Sequence, residues 1–246
     1  MIVAPFKVVL DANVLFPFSL RDTLLRAAAE GLFQLYWSEE ILDETLRNLL
    51  STNRMNALQA GRLRAAMTDA FPEAMVDGYQ PLVAAMTNHE KDRHVAAVAV
   101  KAGAQVIVTS NLKDFATLPH GIEAQSPDEF LCNLFDLQPD GMVDLIREQA
   151  QALKNPPRSF EDLVRGLAKS VPEFADSIAR HTTLGHVFLQ SAQLNPTQAA
   201  RGSCTHGPTT PTNSLFCRKE ILSTIREPTL SELRGHDERR ESRVRF

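Results

Sequence analysis

Asp11, Glu44, Asp92 and Asp114 are the residues of this chain whose types and positions could do chemistry together. Asp11 directly follows the aliphatic run 8–10, and Asp92 stands just ahead of the Ala/Val-rich stretch 94–100. In VIVTSNLKDF, residues 106–115, three aliphatic residues give way to Thr109, Ser110 and Asn111, and then to Asp114. Glu44 falls about one turn into SEEILDETLRNLL. Acids that follow buried parallel strands stand where the ligands of such sheets bind. Crowded carboxylates repel one another, which raises some of their pKa values unless a cation neutralises them. Oxygen-rich acidic clusters favour Mg²⁺ or Mn²⁺, ions that activate water and offset charge on a phosphoryl oxygen.

Asn13 and Thr109 are candidate supports for this group, and Asn111 is either a ligand or the cap of the next turn. Asp114, three residues after Asn111, shares a face with it if the turn is helical. Each acid also has a plainer use. Asp11 could cap a turn, Asp92 could complement a helix dipole, and Glu44 could pair with Arg47 on a helix surface. Glu40, one turn before Glu44, is the alternative acid on that helix, and His89 and His94 beside Asp92 are read as solvent-facing.

The elements that would position these residues alternate. KVVL reads as a strand covered on both faces and LRDTLLRAAAEG as a helix ending at Gly31. LFQLYW is a second strand, and Ser38 caps a helix whose apolar stripe is Leu42, Leu46, Leu49 and Leu50. RMNALQAGRLRAAMTDAF continues helical, and PLVAAMT, residues 81–87, is expected to be a third strand. KDRHVAAVAVKAG reads as a helix closing at Gly103, with Asp92 in its first turn. AQVIVTS is then a fourth strand, GIEAQ a short fifth, and Ser126–Pro127 a helix start. This alternation predicts an α/β fold, a three-layer α/β/α sandwich around a parallel sheet. Residues 138–190 are periodic without strands and read as a helical C-terminal extension of a domain spanning 1–137. Residues 191–246, rich in Thr, Pro, Ser and Gly and then in Arg, have the composition of a poorly ordered tail. There Cys204, His206 and Cys217 lack a clear fourth ligand for zinc.

The charge distribution narrows the partners. Residues 1–190 carry 17 basic against 24 acidic side chains, and residues 191–246 carry 9 against 6. An acidic body argues against a protein that coats DNA through a basic face, but suits an enzyme that gathers carboxylates around metal. The three cysteines form no close pair, which points to a reducing cytoplasm. No apolar run approaches the ~18 residues that would span a membrane.

VVLDANVL, SEEILDETLRNLL and DRHVAAVAVKAGAQVIVTSNLKDF together resemble the PIN-domain family, especially the VapC-type toxins of type II toxin–antitoxin pairs. The resemblance covers residues 5–135, and the 138–190 region resembles the C-terminal extension of a longer subgroup. It implies a PIN-like fold and a metal-dependent endoribonuclease that leaves 3′-hydroxyl and 5′-phosphate ends. It also implies an RNA substrate, a small silencing antitoxin and a homodimer. By position it makes Asp11, Glu44 and Asp92 metal-binding acids. Asn111 stands where many members carry a fourth Asp, with Asp114 as a nearby substitute, and Arg93 is a candidate phosphate contact. A PIN fold that binds RNA or protein with a weakened site is the principal alternative, for which Asn111 speaks. A haloacid-dehalogenase phosphatase is disfavoured by DAN in place of D-x-D. A receiver domain lacks its acidic pair and its lysine.

Overall fold

The computed structural model describes residues 6–154 and 156–193 of the 246-residue chain. Strand β1 (Lys7–Leu10) runs into a one-turn helix, α1 (Ala12–Leu15), and then α2 (Phe18–Ala29). Gly31 stops α2: at φ 76° it lets its own N–H reach Ala28 and that of Leu32 reach Ala27. Strand β2 (Gln34–Tyr36) follows, then α3 (Glu39–Ser51), whose first turn is capped by the Ser38 hydroxyl. Helix α4 (Ala57–Ala70) opens with a capping box between Asn56 and Gln59.

Residues 81–87, expected as a strand, are not one. Gln80–Val83 form a short helix, α5, with Pro81 in its first turn and no residue buried. Proline suits that position because its missing N–H has no helical partner there, whereas a sheet interior would need it. The chain's parallel pairing beside β2 comes slightly earlier, in a bridge between Trp37 and Met75.

Helix α6 (Arg93–Ala102) ends at Gly103, at φ 64°, and the chain turns directly into β3 (Val106–Val108). Strand β4 (Glu123–Gln125) leads to α7 (Pro127–Leu137), with Ser126 as its cap. The four strands form one parallel sheet in the order β2-β1-β3-β4. The chain steps from β1 to one side for β2 and then across to β3. Right-handed crossovers therefore place α2 and α6 on opposite faces. Strands β1 and β3 are central and their apolar residues are buried, while α6 packs across β1, β2 and β3.

Three further helices, α8 (Pro139–Ala152), α9 (Phe160–Leu167) and α10 (Pro172–Gln193), complete the described chain. Their apolar residues, among them Met142, Ile146, Leu163 and Phe174, belong to the same hydrophobic core as the sheet. Helix α7 serves both parts. Its Phe130 meets Phe33 and Phe6 edge-on at 5.1 and 6.1 Å, and its Phe135 meets Phe174 at 6.4 Å. The Asp128 carboxylate accepts from the N–H groups of Glu173 and Phe174 and so caps α10. The stretch expected as a tail begins inside α10, and Cys204, His206 and Cys217 lie outside the described residues. Among the described residues no helix is long and apolar enough to cross a membrane.

Candidate metal centre

The strand order reverses between β1 and β3, and the groups of interest gather beyond their carboxyl ends. Asp11 ends β1 and caps α1, with its Oδ1 accepting from the Ala12 N–H at 2.7 Å. Its Oδ2 accepts from the Thr109 hydroxyl at 2.8 Å and from Asn13 Nδ2 at 2.5 Å. Thr109 directly follows β3, so this hydroxyl ties the ends of the two central strands together at the site. Asn13 Nδ2 also donates to Thr109 Oγ1 at 2.9 Å, and its Oδ1 accepts from the Ser110 N–H at 2.9 Å. Asn13 and Thr109 thus hold one oxygen of Asp11 from two sides.

Asp11 is only 4% exposed. Burial pushes its carboxyl up to about 6, the Thr109 hydrogen bond opposes this, and the charges of Asp92 and Glu44 push it further up. The three acids therefore share one electrostatic environment.

Asp92 closes the short 3₁₀ turn Glu90–Asp92 and stands at the start of α6. Its carboxyl is also held above the usual range, first by burial and then by the charge and hydrogen bond of Asp114. Asp114 lies on a second 3₁₀ turn, Leu112–Phe115, so Asn111 and Asp114 do share a face, and Asn111 Nδ2 donates to Asp114 Oδ2. The exposed Asn111 side chain spends its amide on orienting the acid. The His89 N–H donates to the Asp114 carbonyl at 2.9 Å, which locks the two turns together. One ligand atom each from His89, Asp92 and Asp114 fall within 4.8 Å of one another.

Glu44 of α3 faces this group, and its carboxylate stands 3.8 Å from His94 Nε2 rather than pairing with Arg47. Glu40 is engaged elsewhere, accepting from the Tyr79 hydroxyl at 2.8 Å. His94, expected to face solvent, is instead buried under α3, because the first turn of α6 points it inward toward Glu44. His89 is exposed, yet its ring stands 3.9 Å from Asp92. Both histidines flank Asp92 in sequence, which gives no sign of which one the fold covers. Arg93 is half-buried and donates to the Asn88 carbonyl at 3.3 Å.

This donor set fits a hard divalent cation. It offers carboxylate oxygens from three elements with an imidazole beside them. Among the described residues, neither lysine nor arginine forms a salt bridge with Asp11, Asp92, Asp114 or Glu44. Raised carboxyls without a fixed counter-charge are the arrangement that a bound cation relieves.

Comparison with known proteins identifies the two parts of the chain. Residues 7–113 match the PIN domain, and residues 127–180 match the VapC50 C-terminal domain. Over 118 residues the chain is 42% identical to a protein of Mycobacterium tuberculosis (strain ATCC 25618 / H37Rv) named "Putative ribonuclease VapC50". That alignment covers 47% of this chain and 70% of the relative. No solved structure matches.

Proposed function

Because this chain belongs to the VapC-type PIN-domain family, we propose that it is a Mg²⁺- or Mn²⁺-dependent endoribonuclease, the toxin of a type II toxin–antitoxin pair. The observation that carries the reading is the meeting of Asp11, Asp92, Asp114 and Glu44 at the reversal of strand order, with no lysine or arginine among the described residues paired to them. Asp11, Asp92 and Asp114 are the residues that would hold the cation, with Glu44 at the rim and His89 alongside. A bound divalent cation supplies Lewis acidity, offsetting charge on the phosphodiester and making water more acidic.

The protein's own groups do the positioning. Thr109 and Asn13 fix Asp11 Oδ2, and Asn111 fixes Asp114, so the carboxylates do not have to reorganise when substrate arrives. The half-exposed Glu44 leaves the rim open to a phosphate backbone. Arg93 at the start of α6 is the candidate backbone contact. Products would carry 3′-hydroxyl and 5′-phosphate ends. A small antitoxin would silence the enzyme by covering this acidic pocket, and the protein would act in the cytoplasm as a homodimer.

The test is incubation of the metal-stripped full chain with single-stranded and structured RNA, with Mg²⁺, Mn²⁺ or EDTA. Cleavage restored by metal, and lost in Asp92→Asn, is the expected result. Metal binding without turnover on any RNA would replace this reading with that of a binding module.

A further inference from the structure

His94 is a buried histidine that the reaction outlined above leaves without a task. It is 8% exposed and sits two residues after Asp92, under Glu44 of α3. Its Nδ1 lies 2.9 Å from the Lys91 carbonyl oxygen. A carbonyl can only accept, so Nδ1 carries a proton and the ring orientation is set by the backbone. The other nitrogen, Nε2, is buried without a hydrogen-bond partner and stands 3.8 Å from Glu44 Oε2. That separation is too long for a direct hydrogen bond. Nε2 therefore faces the Glu44 carboxylate across a gap that rotation of the half-exposed Glu44 side chain can close.

We propose that His94 is a positioning residue of the metal centre: its buried Nε2, facing the Glu44 carboxylate, holds that carboxylate against the Asp92 side of the site. Among the described residues, no hydrogen bond from another side chain holds the Glu44 carboxylate. Its side chain is 38% exposed and faces His94 Nε2. Asp11, by contrast, has three hydrogen bonds to its carboxylate, and Asp114 has Asn111. His94 gives Glu44 the support that the other acids receive from Thr109, Asn13 and Asn111. The inference rests on the metal-centre reading, and its test is chosen to be separable from RNA cleavage.

Two variants divide the structural half of His94 from the positioning half. His94→Asn retains an amide N–H near the place of Nδ1 and keeps the Lys91 bond, but leaves nothing at Nε2. His94→Gln places a polar group near Nε2. Mn²⁺ affinity is measured by calorimetry on the full chain, beside melting temperature and, where RNA is cleaved, kcat and KM. The expected result is a loss of roughly 10-fold in Mn²⁺ affinity and in kcat for His94→Asn, the range seen when a group that orients a ligand is removed. KM and melting temperature stay near those of the wild type, and His94→Gln recovers most of the loss. In a Glu44→Gln background, His94→Asn adds little, because both changes remove one interaction. Equal effects of Asn and Gln, full additivity with Glu44→Gln, or unchanged Mn²⁺ affinity would each overturn the proposal. If His94→Asn does not fold, the ¹⁵N resonance of Nε2 decides: it must move in Glu44→Gln, and an unmoved resonance overturns the proposal. A wild type that binds Mn²⁺ with this coupling but cleaves no RNA contradicts the ribonuclease reading alone.

Discussion

Asp11 and Asp22 are equally buried, at 4% exposure each, yet their surroundings are opposite in kind. Burial raises the pKa of both carboxyls. Around Asp22 the neighbours counter it: Arg26 Nε lies 3.1 Å from both carboxylate oxygens, and Arg21 adds a second positive charge. Around Asp11 the charged neighbours are Asp92 and Glu44, which add to the burial. The α2 cluster is complete within the protein. It is sealed by α8, whose fully buried Gln149 accepts from the Thr23 hydroxyl and donates to the Ser19 carbonyl. Among the described residues, the cluster at the sheet edge has no lysine or arginine paired with it, only the imidazoles of His89 and His94 alongside. A carboxylate that brings its own arginine is architecture, and a carboxylate that brings only other acids is prepared for a cation from solution.

That contrast can be broken from either side. The largest effect is expected from Asp11→Asn, which should lower kcat/KM on RNA by roughly 10³-fold. It should leave the melting temperature in EDTA at neutral pH unchanged or higher, because an ionised buried acid has been removed. Kinetics beside calorimetric melting check both halves. Next comes Arg26→Met, which strands Asp22 and should cost about 3–5 kcal/mol in denaturant unfolding. The double change Asp22→Leu with Arg26→Met should restore most of that loss, and Mn²⁺ affinity of the folded protein should stay within about twofold of wild type.

The pH dependence gives a third, somewhat smaller test. Asp11 titrates near 3.8 in the unfolded chain and at about 6 in the metal-free fold, so between these values the fold binds more protons than the unfolded state. Its contribution to stability is therefore full below about 3.8 and falls as pH rises through about 6, by roughly 3 kcal/mol at most. Asn cannot titrate. In EDTA, the stability of Asp11→Asn relative to wild type should accordingly rise between pH 4 and pH 7, and Mn²⁺ should reverse the ordering. A difference that is flat with pH would remove Asp11 from the raised group. The smallest effects separate Asn111 from Asp114. Asp114→Ala should weaken Mn²⁺ binding by about tenfold, and Asn111→Ala by only a fewfold, since Asn111 acts through Asp114.

The chain's local signals were readable because they are short-range chemistry. Asp11 after KVVL, Ser38 and Ser126 as caps, and Gly31 and Gly103 as stops each depend on a few consecutive residues. The Asn111–Asp114 contact was readable on the same terms, from an i,i+3 spacing that the 3₁₀ turn realises. Residues 81–87 are ambiguous in sequence because a short apolar run does not distinguish strand from helix, although Pro81 suits a helix's first turn better than a sheet interior. Burial of Asp22 and Arg26 could not be read from α2, since the helix that covers them comes more than 100 residues later. The direction of His94 was hidden for a similar reason: one face of α6 meets Glu44, nearly 50 residues upstream, and no local pattern says so.

Mn²⁺ titration by calorimetry tests most directly whether the acids gathered beyond β1 and β3 form a divalent-cation site. Wild type, Asp92→Asn and Arg26→Met are titrated at one pH in buffers of different ionisation enthalpy. Saturable binding to wild type with release of protons is expected, since two of the carboxyls are held above their usual range. The same binding to Arg26→Met and a loss of at least tenfold in Asp92→Asn are also expected. Binding that is absent in wild type, or indifferent to Asp92→Asn, would contradict a divalent-cation site there.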